Sequence, residues 1–142
     1  MSEITASVSA RATVDRFLSR LAVQDADGIA DVFAEHIDWF VPGADHLPWT
    51  GPRTRREDVP AYFRTMWTHF VEGESEAVID HVLVDGPDVA VFGSFSHTVK
   101  SSERRFSTPV ALHLTVHEGQ ITRLRLFEDT FAAAQAMPPT DS

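Results

Sequence analysis

RFSTPVALHLTVHEGQITRLRLFEDTF, residues Arg105–Phe131, holds two runs of alternating apolar residues joined at Glu118-Gly119 and closes on a pair of acids. In the first run Val110, Leu112, Leu114 and Val116 recur at every second position. In the second, Leu124, Leu126 and Glu128 share one face, with Arg123, Arg125 and Phe127 on the other. Period-two alternation on both sides of a glycine-containing turn predicts an antiparallel hairpin with one buried face. The register that buries Leu124 and Leu126 also turns the Glu128 carboxyl inward, and Asp129 then points the other way.

Working outward from the hairpin, the chain of 142 residues is expected to form one domain, 1–142, with a folded core over about residues 9–136. Val14, Phe17, Leu18 and Leu21 predict a first helix from near Ser9, with residues 1–8 a frayed polar end. Asp25 or Asp27 is expected to cap a short second helix carrying Ile29, Val32 and Phe33. Ile37–Val41 reads as a strand with Ile37, Trp39 and Val41 inward. Ala44–Arg53, with two prolines and a glycine, reads as a loop over Trp49. Thr54-x-x-Glu57 matches a capping box for a third helix whose stripe is Val59, Phe63, Met66 and Phe70. Pro60 conflicts with a start at Thr54, so either Asp58 is the cap or the first turn is kinked. Ser75–Val84 and Val89–Val99 form a second hairpin about Asp85–Asp88. The tail Phe131–Met137 is a candidate terminal helix capped by Asp129 or Thr130. Helices grouped against an antiparallel sheet define an α+β class, and a strongly curved sheet roofed by helices leaves a cone-shaped hollow suited to a small apolar ligand.

Composition excludes several functions. A net charge of −9 disfavours binding to nucleic acid or to an anionic membrane surface. The absence of cysteine removes thiolate chemistry and disulfides. No run is long or apolar enough to cross a membrane as a helix, so a cytoplasmic protein is expected. His113 and His117 are separated by four strand residues, about 13 Å at ~3.4 Å per residue, too far to share one ion. No metal and no cofactor are expected.

The inward face nominates the site. Glu128, desolvated among aliphatic and aromatic side chains, is a candidate general acid or base, because burial raises a carboxyl pKa toward neutrality. His97 shares its face with Val91, Gly93 and Phe95. It is a candidate proton shuttle able to pair with Glu128, with Gly93 leaving space for a ligand. Trp39, Trp49, Tyr62, Phe17, Met66, Phe95, Leu112 and Leu126 are the candidate ligand-contacting residues. Tyr62, the only tyrosine, offers a hydroxyl donor. His113 is expected to face outward. Asp38 and Asp45-His46 are placed at the cavity rim as solvated groups. Arg53, Arg55, Arg56, Arg104 and Arg105 read as surface charge. Phe127, exposed beside arginines with Ala111 and Thr115, suggests that a second copy of the chain covers the outer sheet face.

The element order, together with FAEHIDWFVPG, WTGPRTRREDVPAYF and EGQITRLRLFEDT, resembles the nuclear transport factor 2-like superfamily, a cystatin-like cone-shaped α+β barrel. Within it, the SnoaL-like and ketosteroid-isomerase-related proteins are the most similar. The resemblance implies a pocket for a small hydrophobic molecule and cofactor-free acid–base chemistry of isomerase, cyclase, dehydratase or hydrolase type. The alternative is a non-catalytic dimeric binder of hydrophobic metabolites. Ketosteroid isomerase's tyrosine, base aspartate and protonated aspartate fall on Phe17, Val41 and Leu112. The paired aspartates of limonene-1,2-epoxide hydrolase fall near Phe95 and Leu126, and its arginine near Gly93. All these positions lack the required groups, so neither of those two chemistries is expected.

Overall fold

The expected hairpin is formed by β5 (Arg105–His117) and β6 (Gln120–Glu128). Glu118 and Gly119 both have positive φ, 52° and 75°, the signature of a two-residue type I′ turn whose twist matches that of its strands. The computed structural model describes residues 3–43, 47 and 49–136. Within it Leu112, Leu114, Leu124 and Leu126 are buried on one face and Phe127 is 51% exposed on the other. Ile121 is buried too, although its parity is opposite to that of Leu124. A bulge reconciles them: Val116 pairs with Ile121 but Thr115 with Arg123, so the strand carries one extra residue there.

The remaining elements are α1 (Glu3–Ala22), α2 (Ala26–Ala30), β1 (Phe33–Val41), β2 (Gly51–Arg55), α3 (Asp58–Thr68), β3 (Glu76–Asp85), β4 (Asp88–Thr98) and α4 (Thr130–Ala136). Six strands form one curved sheet in the order β2-β1-β6-β5-β4-β3, antiparallel except where β1 runs parallel to β6. The α+β class is as expected. The sheet, however, has two edges, β2 and β3, and does not close into a barrel. Helix α1 lies across the inner faces of β3 to β6, burying Ala10, Val14 and Phe17 at helical spacing. Thr13 Oγ1 and Arg16 Nη2 reach the Gly119 carbonyl, each at 3.4 Å, tying the hairpin turn to this helix.

Several boundaries differ from expectation, each for a local reason. Helix α1 begins at Glu3, six residues before Ser9. No glycine or proline interrupts residues 3–22, and Ser7 Oγ accepts a bond from Gly86 N–H in the β3–β4 turn. Asp25 does cap α2, accepting from Gly28 N–H at 3.0 Å. The helix stops at Ala30, because pairing with β6 (Ile121 N–H to the Val32 carbonyl, 2.8 Å) takes Phe33 into β1. Residues 51–55 are an edge strand and not loop followed by helix cap. Pro52 opposes Phe40 there, and an edge strand tolerates the missing donor. Thr54 therefore caps nothing. Helix α3 begins at Asp58 after Glu57, which makes no side-chain cap bond, and Asp58 Oδ2 accepts from Arg55 N–H. Pro60 falls in the first turn, where its absent N–H would have no helical partner.

Strand β1 has the expected register, with Ile37, Trp39 and Val41 buried and Phe40 exposed. Asp38 is not at the cavity rim. It lies on the outer sheet face, where Arg125 Nη2 binds both of its carboxylate oxygens at 2.9 and 3.0 Å. Gly93 does not make room for a ligand either. A Cβ there would collide with the Val78 carbonyl, next to the β3 bulge, so the glycine serves the close approach of two backbones. Asp129 turns away from the inner face and caps α4, its Oδ1 accepting from Ala132 N–H at 3.1 Å. Asp45, His46 and Met137 lie outside the described residues. No helix among the described residues is long and apolar enough to cross a membrane.

Candidate functional site

Between α1, α3 and the inner sheet face lies a cavity of about 220 Å³. Each element contributes the side chains its periodicity turns inward. Strand β6 supplies Leu124, Leu126 and Glu128, β5 supplies Phe106 and Leu112, and β4 supplies Phe95 and His97. Trp39 comes from β1, Trp49 from the segment before β2, Phe17 and Leu21 from α1. Helix α3 adds Tyr62, Phe63 and Met66. All ten residues nominated from the sequence border this one cavity. Phe70, Ser75 and Glu76, from the segment joining α3 to β3 and the start of β3, border it as well. The helical stripe pointed to Phe70. Nothing in the sequence marked Ser75, which enters only because a turn at Gly73 (φ 83°) brings the chain back to the sheet.

The polar groups form two separate clusters. In the first, Trp49 Nε1 donates to Glu128 Oε1 at 3.0 Å. Burial pushes the Glu128 pKa above the ordinary glutamate value, and the Trp49 bond, which favours the carboxylate, opposes this without cancelling it. Tyr62 is buried, 3% exposed, and its hydroxyl has no hydrogen-bond partner among the described residues. Its pKa is raised by burial first and then by the nearby Glu128 charge, while Arg53, whose guanidinium lies 5.5 Å from the ring centroid, lowers it. Arg53 is thus part of the site's electrostatics and not simply surface charge. The Trp39 ring packs edge-on to Tyr62 at 4.7 Å between centroids, and its buried Nε1 has no hydrogen-bond partner among the described residues.

His97 anchors the second cluster. Its Nδ1 lies 2.8 Å from Ser75 Oγ, and its ring stacks on Phe70 at 4.1 Å and 8°. Burial, helped by Arg105, pushes its pKa down to about 4, so the imidazole is uncharged near neutrality. The expected partnership with Glu128 is absent. Glu128 pairs across the sheet with Val110 and Val110 with Gly93, whereas His97 sits four residues further along β4. That is about 13 Å along the strands at ~3.4 Å per residue, with one strand, β5, between as well. Neither group contributes to the other's pKa shift. A sheet-face pattern gives parity but not distance along the strand, which is why the pair looked plausible in sequence.

Other nominated groups have structural employment. His113 faces outward, with Nε2 3.0 Å from Asp88 Oδ1, and Thr115 Oγ1 donates to the same oxygen at 2.8 Å. These bonds, Thr115 first, hold the Asp88 pKa below its usual value. Arg56 Nε donates to the Phe33 carbonyl, and Arg104 and Arg105 donate to the carbonyls of Gln135 and Glu74. The basic residues therefore fasten loops. No group of three His, Asp or Glu side chains suited to a metal ion occurs among the described residues.

The described residues thus form an α+β fold in which helices roof a curved sheet over an aromatic-lined cavity, with Glu128 on its wall. The chain matches the SnoaL-like domain over residues 14–124 and belongs to that family, within the nuclear transport factor 2-like superfamily. Among solved structures it is similar to a nuclear transport factor 2-like protein of Burkholderia xenovorans LB400, at 25% identity over 92% of this chain and 96% of that one, TM-score 0.76. A second such protein, from Burkholderia thailandensis E264, shares 22% identity over 92% and 98% of the two chains, TM-score 0.81. A protein of ketosteroid isomerase-like fold from Catenulispora acidiphila DSM 44928, solved with trimethylamine, aligns at 13% identity over 90% and 93%, TM-score 0.75. Comparison with curated proteins gives no match. Of the three positions onto which the resemblance places ketosteroid isomerase's groups, Phe17 and Leu112 are apolar cavity wall and Val41 is core.

The state of His97 has a measurable consequence. An unfolded imidazole takes up a proton below about pH 6.5, the folded one only below about 4. Between these values the unfolded state binds more protons, so this group's contribution to stability is complete above 6.5 and is lost as the pH falls toward 4. Urea unfolding from pH 7 to 4.5 is expected to show a steeper loss in the wild type than in His97→Phe. Parallel curves would show that the imidazole is not held neutral.

Proposed function

We propose that the cavity binds a small hydrophobic molecule and that the protein is a cofactor-free acid–base enzyme with Glu128 as the proton-transferring group. The observation that carries this reading is a carboxyl placed in an aromatic hollow with its pKa raised by burial. A general acid or base works best when its pKa approaches the working pH, and desolvation moves Glu128 in that direction. The Trp49 N–H stabilises the ionised form that appears whenever the proton leaves. Tyr62, close enough to feel the Glu128 charge, supplies a hydroxyl that donates to an oxygen on the ligand as negative charge develops there. Trp39, Phe17, Met66, Phe95, Leu112 and Leu126 hold the apolar body of the ligand. Isomerase, cyclase, dehydratase and hydrolase chemistries all draw on this set.

The decisive comparison is between turnover and binding. In Glu128→Gln, proton exchange or conversion of a bound ligand is expected to fall by about 10²–10⁴-fold. Binding, followed by tryptophan fluorescence, is expected to persist within a few fold. Tyr62→Phe should show a smaller loss of turnover with binding retained. Unchanged exchange in Glu128→Gln would remove the catalytic role and leave a non-catalytic binder of hydrophobic metabolites.

We further propose a homodimer formed through the outer sheet face. Phe92, Ala111 and Phe127 form one row across β4, β5 and β6 on that face, with Phe40 on β1, and the three phenylalanines are 39–51% exposed. A second copy with the same self-complementary patch would remove this apolar area from water. Sedimentation of wild type at micromolar concentration is expected to give twice the chain mass, and Phe127→Glu the chain mass. A monomeric wild type would contradict this.

A further inference from the structure

His97 is a half-buried, uncharged ring whose placement does more than fill space. Three contacts fix it: the Ser75 Oγ at Nδ1, the stacked face of Phe70, and Phe106 at 5.6 Å between centroids. The ring borders the cavity, and no other hydrogen bond to it exists among the described residues. Its Nε2 therefore has no hydrogen-bond partner among the described residues, on a ring that borders a mainly apolar cavity and is remote from Glu128. We infer that His97, oriented by Ser75, determines specificity by hydrogen-bonding a hydroxyl on the end of the ligand opposite the group handled by Glu128. The inference rests on the ligand-pocket reading given above.

The chemistry of the ring selects the hydroxyl. When the Ser75 hydroxyl donates to Nδ1, Nε2 carries the proton and is a donor. When Nδ1–H donates to Ser75, Nε2 is an acceptor. A ligand hydroxyl satisfies either arrangement. A carboxylate would gain no ion pair from the ring, which carries no charge near neutrality, and the neighbouring Arg105 is already paired with Glu76 at 3.9 Å. An ammonium group would gain no anion from the imidazole. Phe95 is turned into the cavity between the level of Glu128 and that of His97, Phe106 lies beside His97, and Leu112 and Leu126 line the wall one pair beyond Glu128, which suits an apolar body. The ligand class is thus an elongated, uncharged molecule with an apolar middle and an oxygen function at each end.

Two probes differing by one group test this: 4-hydroxybiphenyl and 4,4′-dihydroxybiphenyl, titrated at pH 7 against tryptophan fluorescence. In wild type the second hydroxyl is expected to tighten Kd about five- to tenfold, the effect of one neutral hydrogen bond in a site that excludes water. The gain should vanish in His97→Phe, which keeps a ring to stack on Phe70, and shrink to about twofold in Ser75→Ala. It should return in part in His97→Gln. The quantity compared is the ratio of the two Kd values within each protein, so a change common to both probes does not enter it. Circular dichroism confirms folding, and if His97→Phe does not fold, Ser75→Ala and His97→Gln carry the comparison. A gain that survives in the His97 variants, or no gain in wild type while the monohydroxy probe binds, overturns the role of His97 and leaves the pocket reading intact. Failure of both probes to bind wild type overturns both.

Discussion

A strand can present alternate residues to only two faces, and β6 spends one of its inward positions on a carboxyl. Leu124 and Leu126 must be buried to complete the core beneath α1, so the pleat delivers Glu128 into the same apolar space. A shift of one residue would release the carboxyl to water but expose both leucines, at about 1.5–3 kcal/mol each. The hairpin is held against such a shift by its two-residue turn and by the contacts of α1 with Gly119. The chemical capacity of the cavity is therefore a consequence of the same register that stabilises the sheet.

Around that carboxyl the described residues place groups that tune it and none that neutralises it outright. The Trp49 indole gives one hydrogen bond, enough to orient the carboxylate but too little to offset desolvation. Tyr62 lies within electrostatic reach and keeps its proton, because burial and the neighbouring acid both resist ionisation. Arg53, over the tyrosine ring, moderates the same balance from the opposite side. At the far end of the cavity His97 is uncharged, clamped and hydrogen-bonded to Ser75. The proposed proton transfer at Glu128 and the proposed hydroxyl recognition at His97 thus fall on separate parts of the cavity wall.

How much of this was legible in the chain follows from the range of each interaction. The β5–β6 hairpin, the β1 register and the inward face of α1 are set by local periodicity, and they appear in the structure as read. The starts of α1 and β2 were missed, because tertiary partners decide them: Ser7 is held by the β3–β4 turn, and residues 51–55 pair with β1 despite Pro52. The strand residues that line the cavity were read together because parity selects one face. Their grouping was not, since parity carries no information about position along a strand. That is why Glu128 and His97 were expected as a pair, why Ser75 passed unnoticed, and why Gly93 was read as space when it accommodates a neighbouring backbone.

The central claim, that the closing strand holds an unneutralised glutamate in an apolar enclosure, is tested most directly by titrating that carboxyl. Carbon-13 NMR of the glutamate side-chain carboxyls, with the Glu128 signal assigned by its loss in Glu128→Gln, should give a midpoint above the ordinary glutamate value of about 4.5. Trp49→Phe, which removes the one bond favouring the charged form, should raise it further. A midpoint at or below 4.5 in the wild type would place the carboxyl in water or against a cation and contradict the account.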